Sequence, residues 1–249
     1  MLGALAILVG CAHGSIETPS ASGQATGSSA APRSVRWARA LALADVSAIG
    51  AEMARPFEAA IEVANRSRTK GIARDCNSAL DWLAKGYEAP RDVDQRVLRA
   101  ASIRCLALRQ LASAAPARRS DLAEFRLSPE ALGVLPAGLA FAVSDEAVRR
   151  VREAESRGER WRDLAPNATA MLEPADGDRP DPSLLVKGDH WEVRVTEYGR
   201  ADFDGDGRED LMVRVDDRAV GGTFRNHRLF VLVWDPGRKV FGTLRELLP

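Results

Sequence analysis

Histidine is scarce in this 249-residue chain, with only 3 in all, and none falls between His13 and His190. His13, His190 and His227 are too far apart for a His-x-x-x-His or Glu-flanked zinc spacing, so the usual zinc signatures are excluded. Gly-Lys-Ser/Thr phosphate loops and Gly-x-Ser-x-Gly elbows are missing as well, which removes the commonest nucleotide-binding and serine-hydrolase readings. Net charge is also lacking, because 35 Lys+Arg balance 35 Asp+Glu. With no basic block and no aromatics interleaved among basic residues, nucleic acid is not expected as a partner. No apolar run reaches the length of a membrane span. Leu2 to Val9 is too short to cross about 30 Å of hydrocarbon and reads as the core of an export signal.

What the chain does have is a run of aspartates. Asp202-Phe-Asp-Gly-Asp-Gly-Arg-Glu-Asp210 places carboxylates at loop positions one, three, five and nine, with Gly207 at position six. Alternate residues of a tight loop can aim several oxygens at one centre, as a hard cation requires, and carboxylates this close repel one another without one. A compact oxygen cage built wholly by protein suits Ca²⁺ better than the smaller Mg²⁺. The alternative is a polar turn with dispersed charge. An EF-hand carries a bidentate Glu at position twelve and is flanked by helices, whereas position twelve here is Val213 and the flanks alternate like strands.

The same run resembles the calcium loop of the FG-GAP/VCBS repeats of integrin-α-type propellers, and its first positions are similar to the dockerin loop. That resemblance implies side-chain oxygens from Asp202, Asp204 and Asp206, the backbone carbonyl of Arg208, and one or both oxygens of Asp210. It covers roughly one loop and its flanking strands. Propellers need several blades and a single such loop is present, so the resemblance extends to the metal site alone.

Leu8-Val9-Gly10-Cys11 resembles the lipobox of bacterial lipoproteins, which implies acylation of Cys11 and a membrane partner reached through that lipid anchor. Ala12, in place of an aspartate, points by the same resemblance to the outer membrane. Residues 12–34 are rich in Ser, Ala, Gly and Thr and read as a flexible tether.

Residues 35–165 read as a helical domain. Val46, Ile49, Met53, Phe57, Ile61 and Ala64 form one stripe on a long first helix, and Cys76, Leu80, Leu83 and Tyr87 form a second. After the break at Pro90, with Asp92 as a candidate N-cap, Val97, Ala101, Cys105, Leu108 and Ala112 trace the facing helix of an αα-hairpin. Ser128-Pro129-Glu130 and Ser144-Asp145-Glu146 look like further helix starts, and Gly158 like a helix end. Cys76 and Cys105 stand almost equally far from Pro90, so an antiparallel hairpin brings their sulfurs to one height. In an oxidising compartment they would pair, closing a loop of about 30 residues for roughly 3 to 4 kcal/mol. Buried reduced thiols, or a catalytic cysteine, are the alternatives.

Residues 166–189, rich in Pro, Asp and Gly, read as a linker. Beyond them Trp191, Val193 and Val195, then Leu211, Val213 and Val215, alternate as in half-buried strands. Leu229 to Trp234 suits a central strand covered on both faces, and Val240-Phe241 starts another after a turn. The expectation is an α+β fold: a helical domain, then, over residues 190–249, a small antiparallel sheet of about four strands with helices on one face. The function expected is that of an exported, lipid-anchored calcium-binding protein of the cell envelope that binds or scaffolds an envelope protein or glycan, the calcium being structural. The alternative is an envelope hydrolase acting on glycan or peptide. No catalytic residue stands out for it, since carboxylate pairs arise by chance among 35 acidic residues.

Overall fold

The computed structural model describes residues 35–41, 43–177 and 180–248; the expected signal, the tether and Cys11 lie outside the described residues. In chain order the elements are β1 (Arg36–Trp37), α1 (Ile49–Ala54), β2 (Ile61–Ala64), β3 (Lys70–Ala73), α2 (Cys76–Ala84), α3 (Asp92–Ser113), α4 (Asp145–Ser156) and α5 (Trp161–Leu164). The last third is all strand: β4 (Thr169–Glu173), β5 (Ser183–Lys187), β6 (Trp191–Ala201), β7 (Asp210–Ala219), β8 (Arg225–Asp235) and β9 (Val240–Leu247).

The class is α+β with antiparallel sheets, but the main sheet is larger than expected. It has seven strands, ordered β4-β5-β6-β7-β8-β9, with β1 paired to β6 as well. Two of the extra strands occupy the stretch read as a linker. Leu184, Leu185 and Val186 of β5 are buried, and the Pro, Asp and Gly residues that dominate the local composition mostly flank β4 and β5. The third, β1, lies in the part read as helical.

Nor is only one face of the sheet covered. Leu211, Val213 and Val215 of β7 join Phe230, Leu232 and Phe241 under Leu132, Leu135, Leu139 and Trp161. Met212, Leu229 and Val231 point the other way, into Ile103, Leu106, Leu108 and Leu111 of α3. The period-two alternation of strand side chains feeds both layers. Because each core mixes residues from before and after position 165, the helical part and the sheet share their hydrophobic interior.

The long first helix is not formed. Pro56 disfavours helical backbone at Arg55 and supplies no amide, so α1 stops with Arg55 extended at ψ 125°. Ile61 and Val63 are instead buried on alternate positions of β2, which pairs with β3. In α3, Arg91 is the N-cap and Asp92 the first helical residue. The inward face of α3 is rotated from the expected one: Val97 is 52% exposed, while Leu98 is fully buried. Pro129–Gly133 forms a short 3-10 turn rather than a helix. The Ser144 hydroxyl does cap α4 by accepting from the Ala147 amide. Gly158, at φ 72°, ends that helix, with its own amide on the Glu155 carbonyl and the Glu159 amide on that of Ala154.

The αα-hairpin of α2 and α3 is present and is closed by a Cys76–Cys105 disulfide, with a Cα–Cα distance of 5.0 Å. Both cysteines are 1% exposed. The bond replaces the alternatives of free core thiols and a catalytic cysteine.

Candidate metal centre

β6 and β7 pair down to Ala201 and Asp210, and the aspartate run is the loop that joins them. Gly205 and Gly207 have φ of 87° and 84°, a left-handed backbone that favours glycine. Those turns let side-chain oxygens fold back on the loop. Asp202 accepts from the amides of Gly205 at 2.7 Å and Gly207 at 2.9 Å, and Asp210 accepts from Phe203 at 2.9 Å. Asp204 accepts from the Asp206 amide at 3.0 Å.

As a result Asp202, Asp204 and Asp210 each bring a carboxylate oxygen to within 4.8 Å of the others. Oxygens bound to one calcium ion at 2.3–2.6 Å lie no more than about 5 Å apart, so the trio fits a common hard cation. Asp202 and Asp210 are buried and Asp204 is exposed, which leaves the cluster open on one side. Calcium takes about 6 to 8 oxygens, so backbone carbonyls or water would have to complete the shell.

Asp206, the fourth expected ligand, stands outside the trio. One of its oxygens accepts from the Arg208 amide at 2.6 Å, and the other lies 3.8 Å from the Arg208 guanidinium. Arg208 in turn reaches Asp121 at 3.1 Å. Asp206 thus makes an Asx turn like that of Asp204, and what sets it apart is its approach to the Arg208 side chain.

Burial, first, raises the Asp210 carboxyl from its ordinary value of 3.8 to about 7. The charges of Asp204, Asp206 and Asp202 push it the same way, against the Phe203 amide, which pulls it down. A cation among these oxygens reverses that repulsion.

A distant segment clasps the loop. Ala115 and Asp202 exchange backbone hydrogen bonds at 3.1 and 3.0 Å, and the Gly207 carbonyl accepts from the amides of Arg118 and Arg119. Glu209, 2% exposed and not singled out by the sequence, accepts from the Ser120 hydroxyl and pairs with Arg36 at 2.8 Å.

A second polar cluster lies on the α3 face of the sheet and was also missed. Asp216 meets His227 Nδ1 at 2.6 Å and Arg214 at 2.7 Å, and Arg214 donates to the Tyr198 hydroxyl at 2.8 Å. Burial raises the Tyr198 hydroxyl pKa, while Asp216 is held below the ordinary carboxylate range by His227 and Arg214 despite its own burial. Among the described residues no serine, threonine or cysteine is hydrogen-bonded to His227, so the hydrolase alternative gains no nucleophile there.

No protein-family profile, curated protein or solved structure matches the chain. Among the described residues no helix is long and apolar enough to cross a membrane.

Proposed function

We propose that the chain is an exported, lipid-anchored calcium-binding protein of the cell envelope that acts by binding or scaffolding, with calcium as a structural brace. The observation that carries the reading is the convergence of Asp202, Asp204 and Asp210 at the β6–β7 turn. The Arg208 carbonyl, water and a shifted Asp206 are the donors proposed to complete the shell. Export is supported by the lipobox-like Leu8-Val9-Gly10-Cys11 and by the Cys76–Cys105 bond, which belongs to an oxidising compartment. The brace would act on the β6–β7 hairpin and on residues 115–121, whose backbone holds the loop. With both faces of the sheet covered, an envelope protein or glycan would be met by loops and strand edges.

Thermal unfolding in EDTA, in Ca²⁺ and in Mg²⁺ tests the metal. At a hundredfold excess over Kd, calcium should add about 2.7 kcal/mol and raise the midpoint. An identical midpoint in EDTA and Ca²⁺ would remove the claim. Labelled palmitate tests the anchor: incorporation should be lost in Cys11→Ala, and an unlabelled wild-type chain would rule the anchor out.

A further inference from the structure

β1 and β5 lie along the same edge of β6 and do not meet. Pairing with β5 ends at Thr196 and pairing with β1 begins at Gly199. Between them, at Glu197 to Gly199, the β6–β7 register also shifts, and such irregularities are common beside binding sites. A cavity of about 500 Å³ opens at this break, within the range of small-molecule clefts. Its apolar wall includes Trp37, Leu127 and Leu172. Trp37 is half-buried, and Leu172 is 51% exposed, an aliphatic side chain left open to water.

Most of the charges around the cavity are held in pairs or by backbone groups. Arg200, 2% exposed, is neutralised by both oxygens of Glu197 at 2.7 Å and also donates to the carbonyls of Leu122 and Phe125. Arg36 is paired with Glu209 at 2.8 Å. Asp181 accepts from the Arg39 amide at 2.9 Å. Arg126 differs. Its Nη1 is fixed by the carbonyls of Ala123 at 2.9 Å and Phe125 at 2.7 Å, and it has no carboxylate partner among the described residues. An oriented guanidinium with no carboxylate partner among the described residues therefore stands at the rim of an apolar trough. A bound carboxylate would gain a charge-assisted hydrogen bond there without displacing an existing ion pair.

We propose that this cavity binds a single-chain monoanionic amphiphile, with its carboxylate at Arg126 and its alkyl body against Trp37, Leu127 and Leu172. The site is separate from the aspartate cluster, and each titration is run both in Ca²⁺ and in chelator, so that loss of the brace and absence of the site give different results.

The test titrates octanoate, octylammonium and octanol into the full chain, followed by tryptophan fluorescence and calorimetry. Octanoate should bind saturably, and the other two more weakly by about tenfold or more. Arg126→Gln, an exposed change that should leave the melting curve intact, should weaken octanoate about tenfold or more and leave octanol unchanged. Leu172→Asp should weaken both. Absence of saturable octanoate binding at millimolar concentration, equal binding of octylammonium, or an unchanged affinity in Arg126→Gln would overturn the proposal. Capture by phosphatidylglycerol vesicles without octanoate binding would also overturn it, in favour of a bilayer surface.

Discussion

The disulfide offers the most direct measurement of what holds this chain together. Cys76 opens α2, Cys105 sits in the middle of α3, and 29 residues separate them. Cross-linking removes conformations from the unfolded chain. For a separation of 29 residues the chain-entropy estimate is about 3.6 kcal/mol at 25 °C. In a fold of this size each kcal/mol moves the midpoint by roughly 2 to 4 °C, so breaking the bond should lower it by roughly 7 to 14 °C. Because both cysteines are 1% exposed, a reductant should act on the native protein only as fast as the α2–α3 hairpin opens. The assay is a melt of the oxidised protein, the protein reduced after unfolding and refolded, and the Cys76→Ala/Cys105→Ala variant. The reduced protein should keep its far-ultraviolet circular dichroism at low temperature, since the stabilisation acts mainly through the unfolded state. A midpoint within about 2 °C of the oxidised protein would refute the loop-closure reasoning. So would reduction of the native protein at the rate of an exposed disulfide.

Asp210→Asn should behave oppositely with and without a cation. With the Asp210 carboxyl raised to about 7, the cation-free fold binds its proton more tightly than the unfolded chain does. That stability is fully present below about pH 4 and is lost as pH rises through 7, by at most about 4 kcal/mol for a shift of this size. In chelator, then, the variant should gain on the wild type between pH 5 and pH 8 in urea unfolding; in Ca²⁺ it should lose the cation's stabilisation. A wild-type-minus-variant difference that is flat with pH would contradict the account. Elsewhere, Arg228 pairs with buried Asp217 at 2.8 Å and also donates to the carbonyls of Gly138, Leu139 and Ala140. Arg228→Ala should cost about 3 to 5 kcal/mol in urea unfolding, because it leaves that buried carboxylate without its cation. Adding Asp217→Asn should recover part of the loss, and a loss below about 1 kcal/mol would show the pair to be dispensable.

The last four strands, β6 to β9, were the most legible part of the sequence. The alternation of Leu211, Val213 and Val215 places them on one face, and the unbroken run from Leu229 already implies cover on both sides. β5 was hidden because its apolar run is short and its neighbourhood is Pro, Asp and Gly. Ile61 and Ala64 continue the helical spacing begun at Val46, so periodicity alone assigns that stretch to a helix; Pro56 was the signal that separates it. The chain from Ala114 to Ala142, read as part of the helical domain, forms only short 3-10 turns, and nothing local says that it crosses to the far face of the sheet. At the site, spacing identified the aspartates but not which of them converge, because alternate positions look equivalent in the sequence and only the folded loop turns Asp206 toward Arg208. Glu209 could not be found locally: its partners Ser120 and Arg36 lie 89 and 173 residues away.

A sheet upholstered above and below has little left to offer except its borders. One border is β9; the other is β4, where Met171 and Leu172 are 52% and 51% exposed and no further strand pairs among the described residues. Such a margin is where another extended chain can be stitched on, or where copies can stick to one another when crowded at a surface. Molecules that approach this protein broadside meet helices and turns, and those that come edge-on meet a template.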